Sequence, residues 1–295
     1  MMLMMKGAIG SLVSVPGVLL LVLMSIGCGF SDIRTERVKA GLTQEDASRG
    51  RAILEAAMEK SGGIAAWKAH RTAEATMRDD WPSMFMRPFF MPWPENKAPI
   101  RFQFLLGTNA SRLEFLEGSR QGEIWGIQNW STYEQRAGEP SRFEKNADAQ
   151  FFLPTFQWFF EAPFRLPYAD IVTYAGEGSA AGRVYDLVFA TWNKPEPQEK
   201  IDQYLVWVNQ ETGLIDFLQY TVRDMMRFAR GTMQFTDYRD VQGIKVAFNQ
   251  TVVLEDEPDG TRILHQVILS DVNFGVDIPR GAFYPDPAVR AAKHN

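Results

Sequence analysis

The sequence predicts a mainly β domain with some α structure: one strongly curved antiparallel sheet, a half-barrel, with an N-terminal helix and helical or irregular lid segments. Two observations predict this fold class. From about residue 69 onward, short segments alternate apolar and polar side chains, which is the period of a half-buried strand. These segments recur at intervals of roughly 8 to 15 residues and are separated by turn residues, as in an antiparallel meander.

The N-terminal segment, residues 1–27, has the organisation of a bacterial signal peptide. Lys6 supplies the positive charge, an apolar run without acidic residues follows, and the run ends at Cys28, the only cysteine. A lone cysteine at this place resembles a lipobox, which implies that Cys28 is acylated and becomes the new N-terminus. Gly29 stands where an aspartate would retain the lipoprotein in the inner membrane, so the outer membrane, facing the periplasm, is implied. A plain secretory signal and an uncleaved membrane anchor are the alternatives.

Three further segments organise the rest of the chain. Residues 28–44 are polar and unpatterned, and we expect them to form a tether. A single domain is expected over residues 45–285, because neither a fixed-period repeat nor a low-complexity linker interrupts it. Residues 286–295 are predicted to be a flexible tail.

The elements of the domain follow from local signals. Thr43, with Asp46 three residues later, predicts a helix N-cap, and two glycines at 62–63 predict the end of that helix. Polar turns between alternating segments predict hairpins within "IRFQFLLGTNASRLEFLEG", "GEIWGIQNWSTYEQRAG", "YLVWVNQETGLIDFLQY" and "GTMQFTDYRDVQGIKVAF". Further strands are predicted in "GRVYDLVFATW" and "RILHQVILSDVNF", whereas "GEGSAAG", residues 176–182, is predicted to be a turn.

Charge excludes one class of partner. The 31 basic and 36 acidic residues are intermixed and give a formal net charge of −5. No run of Lys or Arg offers a stripe for the phosphates of a nucleic acid, so we do not expect a nucleic-acid partner.

Two aromatic segments interrupt the meander, "WPSMFMRPFFMPWP" at residues 81–94 and "LPTFQWFFEAPFRLPY" at residues 153–168. Their prolines remove backbone donors, so neither is an ordinary central strand, and we expect these prolines to prevent the close, regular packing of a helix. One interpretation is a plug that fills the concave face of the sheet. The other is a lid over a cavity for an apolar guest, whose predicted lining is Phe85, Phe89, Phe90, Trp93, Phe156, Trp158, Phe159 and Phe160.

Catalytic and metal-binding patterns are weak, and we predict no catalytic residue, no metal and no cofactor. His265 lies within a predicted strand, where a lone histidine is more often structural than a general base. The sequence has no cysteine cluster, no His-x-Glu-x-His motif and no Gly-x-Ser-x-Gly elbow. A platform of exposed tryptophans for sugar stacking, formed by Trp125, Trp130, Trp192 and Trp207, is a remaining alternative.

The chain resembles bacterial lipoproteins with a LolA/LolB-like fold, the group around the outer-membrane lipoprotein-sorting proteins, in an uncharacterised branch. Four stretches carry the resemblance: "ILEAAMEKSGGIAAWKAH", "YLVWVNQETGLIDFLQY", "GTMQFTDYRDVQGIKVAF" and "LSDVNFGVDIPRGAF". It implies an open half-barrel whose apolar concave face is covered by helices and holds acyl chains. No functional residue of the sorting proteins has a matching position here.

These observations lead us to expect a membrane-anchored, periplasm-facing, non-enzymatic binder or carrier of lipid, lipoprotein acyl chains or another hydrophobic ligand. The alternative is an envelope scaffold whose barrel is plugged and whose aromatic patches dock another envelope protein. A hydrolase acting on lipids or envelope polymers, with His265 as the base, is a third hypothesis. A void of several hundred Å³ beneath residues 156–160 would favour the guest over the plug.

Overall fold

The computed structural model describes residues 30–223, 227–254 and 257–283. The predicted signal peptide, the acylation site at Cys28 and the predicted tail 286–295 lie outside the described residues. They therefore stay predictions.

Within these ranges the chain forms five α-helices and 13 strands. The helices are α1 Glu36–Ala40, α2 Gln44–Lys60, α3 Gly63–Lys68, α4 Arg87–Phe90 and α5 Ala147–Arg165. The strands of the first half are β1 Thr72–Asp80, β2 Ile100–Leu105, β3 Ala110–Phe115, β4 Ile124–Gln128, β5 Ser131–Gln135 and β6 Arg142–Phe143. Those of the second half are β7 Ile171–Ala180, β8 Arg183–Thr191, β9 Tyr204–Asn209, β10 Ile215–Thr221, β11 Arg230–Val241, β12 Ile244–Val253 and β13 Ile263–Phe274. Two 3-10 turns are Leu166–Tyr168 and Arg280–Phe283.

All 13 strands belong to one antiparallel sheet, in the order β6-β5-β4-β3-β2-β1-β13-β12-β11-β10-β9-β8-β7. Every pair joins strands that are consecutive in the chain, except that β1 pairs with β13 in the middle of the sheet. The edge strands β6 and β7 are not paired with each other, so the sheet is open. Because they follow one another in the chain with α5 between them, the connection containing α5 must run from one edge of the sheet to the other. The predicted fold class is confirmed.

The predicted hairpins are present with the predicted strands. The clearest is β11–β12, in which Arg239 pairs with Val246 and Val241 with Ile244 around a two-residue turn. Gln242 and Gly243 both have positive φ in this turn, as the tight hairpin requires. The predicted turn at residues 176–182 is wrong for its first part, since β7 continues to Ala180 and only the next two residues turn.

The first long helix, α2, begins and packs as its sequence indicates. The Thr43 side chain accepts a hydrogen bond from the Asp46 N–H at 3.0 Å, which confirms the predicted cap. Gly50 lies directly on β7: a Cβ at this position would come within 2.5 Å of the Tyr174 backbone nitrogen. The chain before α2, which we expected to be a tether, also contacts the sheet: Val38 is buried and the Thr35 hydroxyl donates to the Ala175 carbonyl.

The second aromatic segment is a regular helix, so the expectation that its prolines would prevent helical packing is wrong. Helix α5 runs for 19 residues and contains Pro154 and Pro163. Asn146 caps its start by accepting from the Ala149 N–H at 2.8 Å. Its buried positions recur every three or four residues, and this amphipathic burial offsets the backbone hydrogen bonds that the prolines remove. No helix in the described ranges is both long enough and apolar enough to cross a bilayer.

Helix α5 contributes side chains to two hydrophobic clusters. Phe152, Leu153 and Phe156 pack with residues of β1–β4 and β13 in the first cluster. Phe159 and Ala162 pack in the second with residues of α2 and of β7–β12. The two clusters meet beneath the helix, and residues of both line a pocket at this seam.

Candidate functional site

An apolar pocket lies between α5 and the sheet, and we call it the inner pocket. Its volume is about 100 Å³. Helix α5 contributes Phe151, Phe152, Thr155, Phe156 and Phe159 to its wall. The segment 81–94 contributes Trp81 and Phe90. The opposite wall consists of Tyr220, Val222, Met233, Val252, Leu264 and His265. The protein's own rings therefore leave a space beneath α5, but this space is smaller than the several hundred Å³ that would favour a guest over the plug.

A larger pocket of about 260 Å³, the outer pocket, lies beside the inner one. Five residues border both pockets: Phe151, Thr155, Phe159, Tyr220 and Val222. The outer pocket adds polar groups to its wall, among them those of Asn109, Gln150, Arg165 and Asp202. The two spaces thus adjoin, one almost wholly apolar and one of mixed character.

The predicted lining residues are divided by the structure into pocket, core and surface positions. Phe90 and Phe156 border the inner pocket, Trp158 borders the outer pocket, and Phe159 borders both. Phe160 borders a smaller space of about 20 Å³ and packs edge-to-face on Phe104.

The other three predicted lining residues do not border these pockets. Trp93 is buried, with its ring centroid 5.9 Å from that of Phe156. Phe85 and Phe89 are 88% and 80% exposed. That Phe85 and Phe89 contact a ligand remains a prediction.

One side of α5 is plugged and the other is not. Towards β3 and β4, Trp93 contacts Phe115, Trp125, Phe152 and Phe156, with centroid separations of 5.8–6.4 Å. Such distances are those of packed aromatic cores. Towards β10–β13, the side chains of the two walls leave the inner pocket between them.

A buried ionic network fixes the C-terminal half of α5. Glu161 has a fully buried side chain and accepts hydrogen bonds from Arg165 Nε at 2.6 Å, Gln157 Nε2 at 2.9 Å and the Gly107 N–H at 3.0 Å. Gln157 also donates to the carbonyls of Leu105 and Thr108, so the network ties α5 to the β2–β3 turn. Burial raises the pKa of Glu161, and the Arg165 guanidinium and the other donors partly offset that effect.

A second buried carboxylate lies next to the inner pocket. Asp79 accepts three hydrogen bonds, from the indole nitrogens of Trp81 at 2.8 Å and Trp93 at 2.7 Å and from His265 Nδ1 at 2.8 Å. The Trp81 ring stacks on the His265 ring with a centroid separation of 4.5 Å. Loop 81–94 is thereby attached to strands β1 and β13. His265 joins this cluster from a position 186 residues away from Asp79, so no local motif predicts it.

The hydroxyl groups that border the inner pocket bear on the hydrolase hypothesis. Two hydroxyl residues border the inner pocket, and among the described residues neither is hydrogen-bonded to His265. The Thr155 hydroxyl donates to the Phe151 carbonyl at 2.6 Å, and burial raises the pKa of Tyr220. No group of three or more His, Cys, Asp and Glu side chains able to hold a metal ion is found in the ranges that the structure describes.

The suggested sugar-stacking platform does not form. Trp125 and Trp207 are buried in two different clusters, and Trp130 is the exposed member of the four. The prediction that these side chains share an exposed surface is wrong, because the strand alternation places the two buried rings in the core.

Comparison with known proteins identifies the fold. No protein-family model and no curated protein matches the chain. Solved structures do match: a DUF1329 family protein from Desulfovibrio piger is 10% identical, with a TM-score of 0.50 over 83% of this chain and 98% of that one. An outer-membrane lipoprotein-sorting protein domain from Vibrio parahaemolyticus is 11% identical, with a TM-score of 0.51 over 81% and 97%. The chain has a LolA-like fold.

At such identities the likeness shows the fold alone. It confirms the fold that the resemblance implied, an open, curved antiparallel sheet. A LolA superfamily protein from Nitrosomonas europaea also matches, with 13% identity and a TM-score of 0.47 over 79% of this chain and 96% of that one. In this LolA-like chain, α5 covers the concave face and the inner pocket lies beneath it.

Proposed function

We propose that this protein binds or carries a hydrophobic molecule, such as a lipid or a lipoprotein acyl chain, without enzymatic activity. The observation that carries the proposal is the inner pocket, an apolar space beneath Phe156 and Phe159 that the protein's own side chains leave open on a LolA-like sheet. The adjoining outer pocket gives a guest a mixed environment for its polar part.

The size of the pockets limits what binds without rearrangement. A dry, apolar cavity of about 150 Å³ binds benzene, so the inner pocket of about 100 Å³ holds only the end of a chain. Sheathing roughly 300 Å² of acyl chain would contribute on the order of 7 kcal/mol before ordering costs. To reach that area, a longer chain must extend into the outer pocket or displace α5 from the sheet.

The proposed location is the bacterial outer membrane, facing the periplasm, with the domain held by acyl chains on Cys28. Each buried CH₂ contributes about 0.8 kcal/mol, so two or more chains hold a domain stably on a membrane. The signal-like N-terminus and the likeness to a domain named for outer-membrane lipoprotein sorting support this location. Globomycin, which blocks removal of lipoprotein signal peptides, should cause the precursor to accumulate, whereas a Cys28→Ala chain should not respond to it.

The binding proposal is tested on protein purified from its own host. Native mass spectrometry and lipid extraction are expected to recover a co-purifying hydrophobic molecule. Emptied protein is expected to take up N-phenyl-1-naphthylamine, an uncharged apolar dye, with an increase in fluorescence. If no molecule co-purifies and no dye is taken up, the proposal is wrong.

A variant that fills the inner pocket sharpens the test. Val252 lies in its wall, and Val252→Phe adds an aromatic ring where the guest would sit. Dye affinity is expected to fall at least tenfold, although overpacking also costs about 1–3 kcal/mol of stability. Val184→Phe, at a half-exposed position on β8, is the control and is expected to bind the dye normally. If Val252→Phe and Val184→Phe bind the dye equally, the dye does not bind in the inner pocket.

A second candidate function, docking of another envelope protein, is favoured by one surface. Met84, Phe85 and Phe89 are 78%, 88% and 80% exposed in the loop between β1 and β2. Three neighbouring exposed apolar side chains of this size mark an interaction surface. Crosslinking in cells should capture a stoichiometric partner that Phe85→Asp abolishes while dye binding is unchanged. Loss of dye binding instead would assign these residues to the ligand.

A further inference from the structure

His265 is a polar residue of the inner pocket whose hydrogen bonding is incomplete among the described residues. Its side chain is 9% exposed and forms part of the pocket wall. Nδ1 lies 2.8 Å from Asp79 Oδ1, and the ring is stacked on Trp81. Among the described residues, Nε2 has no hydrogen-bond partner.

The surroundings of Asp79 determine which ring nitrogen carries the hydrogen. A carboxylate only accepts hydrogen bonds, and Oδ2 of Asp79 already accepts from the indole groups of Trp81 and Trp93. Oδ1 is therefore left to accept from His265 Nδ1, and this geometry assigns the hydrogen to Nδ1. In that tautomer Nε2 keeps a lone pair, and the atom is an acceptor.

Nε2 is not among the fully buried unpaired atoms, so as an acceptor in the pocket wall it is open to a donor that a guest supplies. The rest of the inner pocket wall is dominated by apolar side chains, and the Thr155 hydroxyl is engaged with the Phe151 carbonyl. The site is thus matched to a molecule that is apolar along most of its length and carries a single hydrogen-bond donor.

We propose that the inner pocket selects the hydroxyl end of an apolar molecule, such as a long-chain alcohol, whose O–H donates to His265 Nε2. The chain then leaves the inner pocket between α5 and Tyr220 and continues into the outer pocket. This inference rests on the proposed binding function and adds the chemical class of the ligand and its orientation.

Hydrogen-bond chemistry argues against a fatty-acid carboxylate in the same place. A carboxylate only accepts hydrogen bonds, and in this tautomer His265 Nε2 has no hydrogen to donate to it. The Arg87 side chain is held at the backbone of Trp81, where its Nε donates to the Trp81 carbonyl at 2.5 Å. A neutral hydroxyl forms its hydrogen bond without adding charge.

The test compares two probes of equal size on the unmodified full-length protein. 1-Decanol and 1-methoxynonane have the same number of heavy atoms, but only the alcohol donates a hydrogen bond. Displacement of the apolar dye is expected to show about tenfold tighter binding of 1-decanol, the contribution of one neutral hydrogen bond formed away from water. Tyr220, which borders both pockets, can donate to the oxygen of either probe and so does not create this difference.

The variant His265→Phe removes the acceptor and keeps a flat ring against Trp81. It is expected to bind the two probes equally, with the ether affinity within about twofold of the unmodified protein. Val184→Phe, at the half-exposed position on β8 outside the pockets, is the control and should retain the tenfold preference. A purely structural role of His265 would change both affinities together and leave their ratio unaltered.

The possible outcomes separate the two proposals. If neither probe displaces the dye and the dye itself does not bind, the binding function is wrong. If both probes bind the unmodified protein equally, or decanoate binds more tightly than 1-decanol, the binding function stands and the hydroxyl inference is overturned. The comparison on unmodified protein decides this even if His265→Phe does not fold.

Discussion

The two aromatic segments have similar compositions and opposite structures. Residues 81–94 form a loop with one four-residue helix, α4, which buries none of its side chains completely. Residues 153–168 form most of the 19-residue helix α5 and the short turn after it. This helix buries nine of its residues against the sheet. Both are rich in proline and aromatic residues, so composition does not determine which segment becomes core.

The difference lies in spacing and in the connections of each segment. In α5, Phe152, Phe156 and Phe159 follow one another at intervals of four and three residues, so one face of a helix carries them all. The loop has no such period, and Trp81 and Trp93, near its two ends, are held instead by Asp79. The middle of the loop is therefore left at the surface, with Phe85 exposed.

The largest contrast is expected from shortening one aromatic residue in each segment. Phe156→Ala removes a buried ring that contacts Trp93 and Phe152, and should lower the free energy of unfolding by about 3–5 kcal/mol. Phe85→Ala, at the exposed position, should change it by less than about 0.5 kcal/mol. Urea unfolding followed by circular dichroism measures both. Similar losses in the two variants would contradict the assignment of one segment to the core and one to the surface.

The buried carboxylate of α5 gives the next effect. Glu161→Gln leaves the Arg165 guanidinium without its charged partner and disturbs the acceptor of the Gly107 N–H. Gln keeps one acceptor oxygen in place of two, so the loss should be about 1–3 kcal/mol, the cost of leaving a buried donor unsatisfied. Glu36→Gln, which breaks the exposed pair with Lys39, is the control and should leave the urea midpoint unchanged. A midpoint for Glu161→Gln equal to that of the unmodified protein would mean that the network does not hold α5.

The strands of this protein were predictable because each hairpin is specified locally. Alternation and turn residues fixed β9–β10 and β11–β12 within about 20 residues of sequence. The capped helix α2 was predictable for the same reason, since Thr43 and Asp46 are three residues apart. Their arrangement into a LolA-like sheet came from the resemblance of these same local stretches.

The candidate site was only partly predictable because its parts meet through long-range packing. Phe90, Phe156, Trp158 and Phe159 were predicted and do border the pockets. The sheet wall was missed, because Met233 and Val252 lie on ordinary strands whose sequences mark no ligand. The pairing of Asp79 with His265 was missed as well, because it depends on β1 joining β13 across most of the chain.

Proline substitutions sharpen the comparison at the level of the backbone. Pro154 lacks the N–H that would bond to the Gln150 carbonyl inside α5, a defect that costs about 3 kcal/mol in a helix. Pro154→Ala should therefore raise the free energy of unfolding by about 2 kcal/mol, after the greater entropy of the unfolded chain is subtracted.

Pro88 provides the matched control in the other segment. It lies at the start of α4, where an N–H has no partner within the helix, so Pro88→Ala should bring no gain. If both variants, or neither, are more stable than the unmodified protein, the assignment of a backbone defect to Pro154 is wrong.

The smallest expected effect is a pH dependence carried by Glu161. Burial raises its pKa above the ordinary 4.5, so between 4.5 and the raised value the folded protein binds more protons than the unfolded chain. The stability difference between the unmodified protein and Glu161→Gln should therefore be greatest below pH 4.5 and decrease as the pH rises through the raised pKa. This stability difference changes by at most about 1.4 kcal/mol per pH unit.

Asp46 provides a control of opposite sign outside α5. Its hydrogen bond with the Arg37 side chain lowers the pKa of Asp46 below 3.8, so its contribution is present above that pH and is lost as the pH falls through the lowered value. The difference between the unmodified protein and Asp46→Asn should thus decrease towards acid, whereas the Glu161 difference increases. Urea midpoints from pH 3 to pH 8 measure both trends. Parallel trends would mean that Arg165 outweighs burial at Glu161, because only a net desolvation cost makes the folded protein retain that proton.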